Sequence, residues 1–493
     1  MTSLHEHSSG TTADDTTTPG TTPANGASRT ATRRTVLRAS AVTGLGIAFA
    51  GSIDAIAGTT ASAAPTRAAS GYGPVVADPR KVLALPKGFS YKIVAEAGVT
   101  TLTDGGEPTP SDTDGTGCFR DGRNVTLVNN HELDGSEAHR VPTRPGLTYD
   151  PGAAGGTTNI SVGPDGERLA EYVSVAGTAV NCAGGITPWD TWLTCEETES
   201  KAGGPLTKDH GFVFEVSPVG SENPGNSPVP LTFLGRFAHE AVAVDPRTKD
   251  IYLTEDASDP NGLLYRWTPP KGFKGRKWEL KKLAETVGDA AGGLQAMRCT
   301  RGSQHVRDLS EATQPGTRYS VEWVDVPDRL AADTSTRKQL PADRVTRSRK
   351  FEGAWWGDGG AYIVASYARV DDGSANAHDG QIWFYEPGRK QITLKTIFTV
   401  NESPDEDGTN FDGPDNITVS PYGGVVVAED GEGVQHLIGV SDEGTSYALA
   451  RNDLNGSEFA GPTFSPNGRF LFAGIQSPGH VLAITGPWRR GPR

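Results

Sequence analysis

Six short apolar strands recur along the chain, and each runs into a small cluster of polar or acidic residues. The six segments are VTLVNNHE (125–132), WLTCEE (192–197), IYLTED (251–256), YIVASY (362–367), VVVAED (425–430) and FLFAGI (470–475). Apolar runs of this length with a period of two, bounded by Gly, Pro, Asn and Asp, predict strands. Repetition of one unit predicts a repeat fold, in which the acidic residues of successive units meet at one place.

Each of these strands has a partner upstream, with turn-forming residues between the two. HEAVAVDPRTKD precedes IYLTED, for example, and PDNITVSPYGG precedes VVVAED. Pro, Gly, Asn and Asp favour a tight reversal, so each unit is predicted to be a β-hairpin. In an antiparallel hairpin, the residue that opens the first strand lies beside the residue that closes the second.

These hairpins predict which distant residues meet. The expected neighbours are Glu240 with Glu255 and Asp256, Cys182 with Glu196 or Glu197, Asp415 with Glu429 and Asp430, and Glu352 with Ser366 and Tyr367. A register error of one residue exchanges the two faces of a strand. The pattern therefore does not choose between Glu196 and Glu197.

A second, more polar hairpin follows most of these units, which predicts four-stranded sheets. The pairs are HGFVFEVSP with PLTFLGRF, NGLLYRWTP with KWELKKLAE, DGQIWFYEPG with QITLKTIFTV, and QHLIGVSD with SYALARND. Six such sheets arranged radially predict an all-β, six-bladed β-propeller. The unpaired strand FSYKIVAEAG (89–98) is expected to close the ring by pairing with GHVLAITGP near the C-terminus, which hides two sheet edges. A β-sandwich with accidental spacing is the alternative fold.

One propeller domain is predicted over residues 81–493, with an insertion at about 268–345. The 62 Gly and 34 Pro among 493 residues are typical of a turn-rich all-β protein. A repeat fold can exceed the usual domain size because each blade buries its own share of the core. The formal net charge of −14 argues against a nucleic-acid partner, which would need a basic face.

The N-terminal segment predicts an export signal. Its first thirty residues are mostly Thr, Ser, Gly and Ala, a composition that predicts disorder. The twin arginines Arg33 and Arg34 precede a weakly apolar stretch and a small-residue site that ends at Ala63. This order is similar to a twin-arginine signal peptide covering residues 1–63, removed near Ala63 by the export machinery, with 64–80 as a linker. No stable membrane insertion is expected afterwards; a membrane anchor or a chance arginine pair is the alternative.

The four cysteines allow two interpretations. Cys182 and Cys195 lie on the two strands of one predicted hairpin, close enough for a disulfide in an exported protein. Cys182 also opens its hairpin in line with Glu240, as a thiolate ligand would. Composition alone favours the disulfide, and Cys118 and Cys299 are predicted to be structural.

Several motifs together resemble those of the PhoX-type alkaline phosphatases: NNHE (129–132), NCAGGITPW (181–189), WLTCEE (192–197), HEA (239–241) and FEG (351–353). The resemblance extends over roughly residues 80–493 and includes the twin-arginine signal. It implies a six-bladed propeller that cleaves phosphate monoesters at two oxo-bridged ferric ions accompanied by several calcium ions. Its motifs imply iron ligands at Cys182, Glu196, Glu240 and Glu352, and calcium ligands at Glu132, Glu197, Asp256, Asp415 and Glu429. The resemblance thus favours a thiolate over a disulfide at Cys182.

The chemistry of these side chains agrees with the implied centre. One thiolate among carboxylates suits a transition metal, whereas carboxylate oxygens alone suit Ca²⁺. Several carboxylates cannot share one axis without cations, because like charges at short range force protonation. Asn416 and His131 are expected to support the ligands.

Two basic residues are candidates for binding the phosphate group. Lys350 stands two residues before Glu352, on the same face of a predicted strand, where the family has an arginine. A lysine is a point charge and lacks the bidentate geometry of arginine. Arg349 is the neighbouring candidate, although strand alternation points it away.

The sequence therefore predicts an exported, metal-dependent phosphomonoesterase that acts on small phosphate esters as a monomer. No protein nucleophile is required, and the chain has no G-x-S-x-G motif. Two alternatives are a calcium-dependent propeller hydrolase of the lactonase type, which needs one metal and no thiolate, and a non-catalytic calcium-binding propeller.

Overall fold

The computed structural model describes residues 71–219, 227–405 and 410–491. They belong to a compact unit that spans Arg67–Arg493. The predicted signal peptide at 1–63 lies outside the described residues. Within the described residues, no helix is long and apolar enough to cross a membrane.

The described chain consists mainly of strands. Its first half contains β1 (Val75–Val76), β2 (Leu83–Pro86), β3 (Ser90–Glu96), β4 (Thr113–Asp121), β5 (Asn124–His131), β6 (Gly155–Val162), β7 (Arg168–Thr178), β8 (Asn181–Ile186), β9 (Trp192–Glu196), β10 (Val213–Val216), β11 (His239–Val244), β12 (Ile251–Glu255) and β13 (Gly262–Thr268). Its second half contains α1 (Glu279–Thr286), β14 (Gly293–Arg301), β15 (Gln304–Val306), β16 (Arg318–Asp325), α2 (Thr336–Gln339), β17 (Arg347–Ser348), β18 (Phe351–Gly357), β19 (Gly360–Ala365), β20 (Gly380–Glu386), β21 (Gln391–Phe398), β22 (Pro414–Val419), β23 (Val425–Glu429), β24 (His436–Val440), β25 (Ser446–Asn452), β26 (Phe459–Phe464), β27 (Leu471–Ile475) and β28 (His480–Thr485). The all-β fold class is confirmed.

Within the described residues, these strands form five hydrogen-bonded sheets. The sheets are β4–β7, β8–β10, an eleven-stranded sheet of β11–β21, a six-stranded sheet of β22–β25 with β1 and β2, and a four-stranded sheet of β26–β28 with β3. All six predicted strand pairs that lead into the polar clusters are present as antiparallel neighbours.

The first strands of these six hairpins surround one axis. β4, β8, β11, β18, β22 and β26 contact one another in that order, and β26 contacts β4 again. Glycines let neighbouring backbones approach closely. A Cβ on Gly115 would lie 2.6 Å from Ala183 Cα, and one on Gly353 would lie 2.6 Å from the Asp415 carbonyl oxygen. The closed cycle of first strands makes the fold propeller-like.

The predicted pairing of the N-terminal strand with the C-terminal hairpin is confirmed. β3 runs antiparallel to β28, with Glu96 opposite His480 and Ser90 opposite Thr485. β2 pairs with β25 of the neighbouring sheet, so the N-terminal segment joins two sheets. β1 lies within the predicted linker at 64–80 and pairs with β2, so this segment contributes a strand.

Two of the predicted outer hairpins are wrong. KWELKKLAE forms helix α1, because Leu280, Leu283 and Ala284 recur with the period of a helix and pack on the core. PLTFLGRF contains a 3-10 helix at Thr232–Leu234 where the fourth strand of its sheet was expected. The sheet of β8–β10 therefore has three strands in the described structure.

The predicted insertion joins two expected blades into one sheet. β14 lies within the predicted insertion at 268–345 and pairs with β13. β16 pairs with β14 on one side and with β21 on the other. Such pairing between distant segments leaves no local pattern in the sequence. Six separate sheets are consequently not observed.

Candidate metal centre

Each first strand carries a β-bulge near its beginning. The pairing register shifts between Thr113 and Thr116, Asn181 and Gly184, His239 and Val242, Phe351 and Ala354, Pro414 and Ile417, and Ala460 and Thr463. A bulge bends its strand and re-aims a side chain, and bulges are common beside active sites. The same local device is thus repeated around the axis.

Acidic and thiol side chains gather where these bulges meet. The second residue of each first strand is Asp114, Cys182, Glu240, Glu352, Asp415 or Ala460. The residue that follows each paired second strand is Glu132, Glu197, Asp256, Ser366, Asp430 or Gln476. We define the axial ring as the nine residues that form potential metal-binding groups: Asp114, Glu132, Cys182, Glu197, Glu240, Glu352, Asp415, Asp430 and Glu458.

The axial ring divides into four groups that share members. The groups are Asp114, Glu132 and Cys182; Cys182, Glu197 and Glu240; Glu240, Glu352 and Asp415; and Asp415, Asp430 and Glu458. Within each group, one ligand atom of every residue lies within 4.8 Å of the others. Because Cys182, Glu240 and Asp415 each belong to two groups, neighbouring ions would share ligands.

The ring concentrates negative charge away from water. Cys182 and Glu240 are fully buried, and Glu352 and Asp415 are nearly so. The Cys182 thiol donates a hydrogen bond of 3.0 Å to Glu240 Oε1. Burial, and after it the charges of Asp114 and Glu240, raises the pKa of the Cys182 thiol well above its usual value. A bound cation would reverse this effect, because metal ligation deprotonates a thiol.

The donor set fits the metals that the resemblance implies. A thiolate that shares two groups with carboxylates suits a transition metal such as iron. The group of Asp415, Asp430 and Glu458 offers only oxygen atoms, which suits Ca²⁺. Carboxylates at this separation need cations to remain ionised together. The residues present are therefore compatible with a mixed iron and calcium centre.

Buried amide side chains hold the backbone that carries the ring. Asn130 Nδ2 donates hydrogen bonds of 2.8 Å to the carbonyl oxygens of Cys182 and of the next residue. Asn416 Oδ1 accepts one of 2.6 Å from the Gly461 amide. Bulges remove backbone groups from the strand ladder, so buried polar side chains must satisfy them. Asn416 thus supports the ring through the backbone.

Six predicted ligands lie in the axial ring: Glu132, Cys182, Glu197, Glu240, Glu352 and Asp415. Among the described residues, Glu196 belongs to none of the four groups. Its carboxylate accepts hydrogen bonds from His210 Nδ1 at 2.6 Å and from the amides of Gly211 and Phe212 at 2.8 and 3.0 Å. Glu197, the next residue, occupies the ring instead.

Glu429 also lies outside the four groups of the described structure. It accepts hydrogen bonds from the Asp412 amide at 2.8 Å and from His436 Nδ1 at 2.7 Å. Asp430 follows it and reaches the ring, since successive residues of a strand face opposite sides. His131 likewise packs away from the ring, with Nδ1 2.9 Å from the Ser111 carbonyl oxygen.

Three ring residues are absent from the predicted ligand set. An alignment of TDGTGC with NCAGGI and HEAVAV would have found Asp114, because it places Asp114 at the ligand position. Asp430 was expected near Asp415, but not as a ligand. Glu458 precedes β26 and occupies neither repeating position, so the pattern gives no indication of it.

The predicted basic residues face different surroundings. Lys350 Nζ lies 2.9 Å from Asp256 Oδ2 and 3.2 Å from Glu352 Oε1, so Lys350 and Asp256 adjoin the ring. Arg349 faces away, with Nε 3.3 Å from Asp372 Oδ2. The two side chains diverge as predicted, but not through strand alternation: β18 begins at Phe351, and Lys350 precedes it with a left-handed φ of 50°.

The disulfide interpretation is wrong for this structure. All four cysteines are buried and free. Cys195 packs in a hydrophobic cluster with Val213 and Val242. Cys182, by contrast, points its sulfur at Glu240 within the ring.

Comparison with protein families decides the assignment. The family model described as alkaline phosphatase PhoX matches residues 70–170 and 163–479. The chain belongs to the PhoX family. The resemblance carried by the NCAGG and WLTCEE motifs is thereby confirmed. A search of the curated proteins gave no significant match.

Two solved structures illustrate the weaker likeness beyond the PhoX family. A gluconolactonase from Xanthomonas campestris aligns at 12% identity with a TM-score of 0.36, over 84% of this chain and 98% of its own. The PQQ domain of pyranose dehydrogenase from Coprinopsis cinerea aligns at 10% identity with a TM-score of 0.35, over 83% and 98% respectively. Likeness at this level carries no argument about function.

Proposed function

We propose that this PhoX-family chain is an exported, metal-dependent phosphomonoesterase that hydrolyses small phosphate esters at the axial ring. The observation that carries the proposal is the position of Cys182. The buried Cys182 thiol belongs to two of the four potential metal-binding groups, and its partners in both are carboxylates. In a member of a phosphatase family, this arrangement favours a centre that contains different metals. We further infer six blades, because six first strands complete one cycle although β16 fuses two outer sheets.

The ring divides into regions that suit different metals. Cys182, Glu197, Glu240 and Glu352 are the proposed ligands of two ferric ions. The oxygen-only group of Asp415, Asp430 and Glu458, together with Asp114 and Glu132, is proposed for calcium. When bound, these cations would polarise the phosphoryl oxygens of a substrate.

The chain itself supplies charge and position. Phosphoryl transfer depends mainly on positioning and on neutralising the equatorial oxygens. Lys350 brings a cation to the edge of the ring, while the ion pair with Asp372 keeps Arg349 farther away. Of the two basic residues, Lys350 is therefore the better candidate for binding the phosphate group. The buried Asn130 and Asn416 fix the strands that present the ligands.

Export through the twin-arginine pathway is part of the proposal. The arginine pair at Arg33 and Arg34 and the cleavage site near Ala63 support it. That pathway carries folded proteins, so the metals would be bound before export. The acidic charge and the closed cycle of strands support a soluble monomer without a nucleic-acid partner.

A thiol exchange tests the proposed activity. Cys182→Ser is expected to lose iron and at least about 100-fold of kcat/KM with p-nitrophenyl phosphate at alkaline pH in added Ca²⁺. Cys195→Ser, a buried cysteine outside the ring, is the matched control and should retain both. Equal activity and iron content in the two variants would contradict the proposal. Lactone hydrolysis by an iron-free wild type would instead support the lactonase alternative.

A further inference from the structure

The axial ring repeats one arrangement between successive blades. We define a slot as the space between three side chains. They are the second residue of one first strand, the residue that follows its paired second strand, and the second residue of the next first strand around the axis. Asp114, Glu132 and Cys182 form the first slot, and Cys182, Glu197 and Glu240 form the second. The same positions in the next blade pair are Glu240, Asp256 and Glu352. A third slot is therefore expected there.

Lys350 occupies this third slot. Its ammonium nitrogen lies 2.9 Å from Asp256 Oδ2 and 3.2 Å from Glu352 Oε1. The side chain of Lys350 is 11% exposed, and those of Asp256 and Glu352 are 10% and 2% exposed. One nitrogen thus contacts two shielded carboxylates, each at ion-pair distance. A positive charge already stands where the repeat would place a metal ion.

The backbone holds Lys350 in this position. Its φ of 50° lies in the left-handed region, which residues with a Cβ seldom adopt. The Lys350 carbonyl oxygen accepts a hydrogen bond of 3.0 Å from the Ser366 amide, the residue that follows β19. The neighbouring Arg349 pairs with Asp372 outside the ring. Of these two adjacent cations, only Lys350 enters the slot.

We propose that Lys350 is a built-in cation of the axial ring, which fills the third slot in place of a divalent metal ion. Like a metal ion, the ammonium group places a positive charge against Asp256 and Glu352, two carboxylates that are costly to bury as anions. Removing the ammonium group opens the slot to a cation from solution. The inference rests on the proposed metal centre, but not on the phosphatase reaction.

Counting bound calcium tests the inference directly. Wild type, Lys350→Met, Lys350→Arg and Arg349→Met are dialysed to equilibrium against buffered Ca²⁺, and calcium and iron per chain are measured by elemental analysis. Lys350→Met is expected to bind one more calcium per chain than wild type. Lys350→Arg keeps the charge and Arg349→Met changes a cation outside the ring, so both should match wild type.

A double variant locates the additional ion. Lys350→Met/Asp256→Asn removes one charge of each sign from the slot and is expected to fold with the wild-type calcium count. If Lys350→Met is recovered only in Ca²⁺ and unfolds on its removal while the double variant does not, the inference is also supported. An unchanged count in folded Lys350→Met, or an additional calcium in the double variant, would overturn it. A wild type without bound metal would overturn the metal centre as well.

Discussion

At the residue scale, the side on which a carboxylate leaves its strand decides what it can bind. Glu196 ends β9 and accepts hydrogen bonds from His210 and three backbone amides, whereas Glu197 lies in the ring with Cys182. Alternation predicts that the two glutamates differ, but a shift of one residue in register exchanges them. The sequence could therefore predict an acidic site at this strand end, but not which residue enters it.

Exchanging each glutamate for glutamine separates the two roles. Glu197→Gln is expected to lose bound metal, while its free energy of unfolding in chelator stays within about 0.5 kcal/mol of wild type. Glu196→Gln should lower that free energy by about 2–4 kcal/mol, because a buried acceptor of several hydrogen bonds is replaced. Elemental analysis and urea unfolding of both variants measure these effects. If Glu196→Gln lost the metal and Glu197→Gln lost stability instead, Glu196 rather than Glu197 would be the metal ligand.

His378 should make stability depend on pH. Burial of the imidazole lowers its pKa to about 4, and the charge of Arg369 contributes in the same direction. The charge of Asp372 opposes this shift. The unfolded chain then binds more protons between pH 6.5 and 4, so stability falls as pH decreases through this range. Between pH 7.5 and 5, the free energy of unfolding of His378→Phe should therefore fall by about 2 kcal/mol less than that of wild type. Urea unfolding at the two pH values measures it, and parallel losses would contradict the assignment.

At the element scale, the spacing of apolar residues predicted the correct secondary structure only where contacts within the segment and its hairpin decide it. The inner hairpins follow their alternating pattern and turn residues, from β4–β5 to β26–β27. KWELKKLAE was misassigned because a short apolar pattern can fit a strand or a helix until its packing is known. The bulges could not be predicted, since a bulge changes the pairing register and the alternating pattern of one strand does not show where that occurs.

The glycine beside a bulge is expected to be essential. A Cβ on Gly353 would lie 2.6 Å from the Asp415 carbonyl oxygen and 2.7 Å from Asn416 Cα, both on the neighbouring first strand. Gly353→Ala should therefore lower the free energy of unfolding by about 1–3 kcal/mol and reduce metal content. Gly388→Ala is the control, because a Cβ there would meet no atom within 4 Å. If urea unfolding finds the two variants equally stable, the close approach is not needed.

At the scale of the whole molecule, closure brings together residues that are far apart in the chain. The pairing of β3 with β28 could be predicted, because two unpaired strands remained at the chain ends. The fusion of two sheets by β16 could not, because its partners are distant and non-repeating. The repeats predicted that the candidate ligands meet. In the structure, the residues of the axial ring come from positions as far apart in the sequence as Asp114 and Glu458.

The central claim is that Cys182 and carboxylates from separate blades hold iron together. Iron K-edge X-ray absorption on wild type and Cys182→Ser, each purified after export, tests it most directly. We expect a sulfur neighbour of iron in the wild type and its disappearance in the variant, with calcium present in the same wild-type sample. Wild-type iron surrounded only by oxygen and nitrogen, or a protein without iron, would contradict the account.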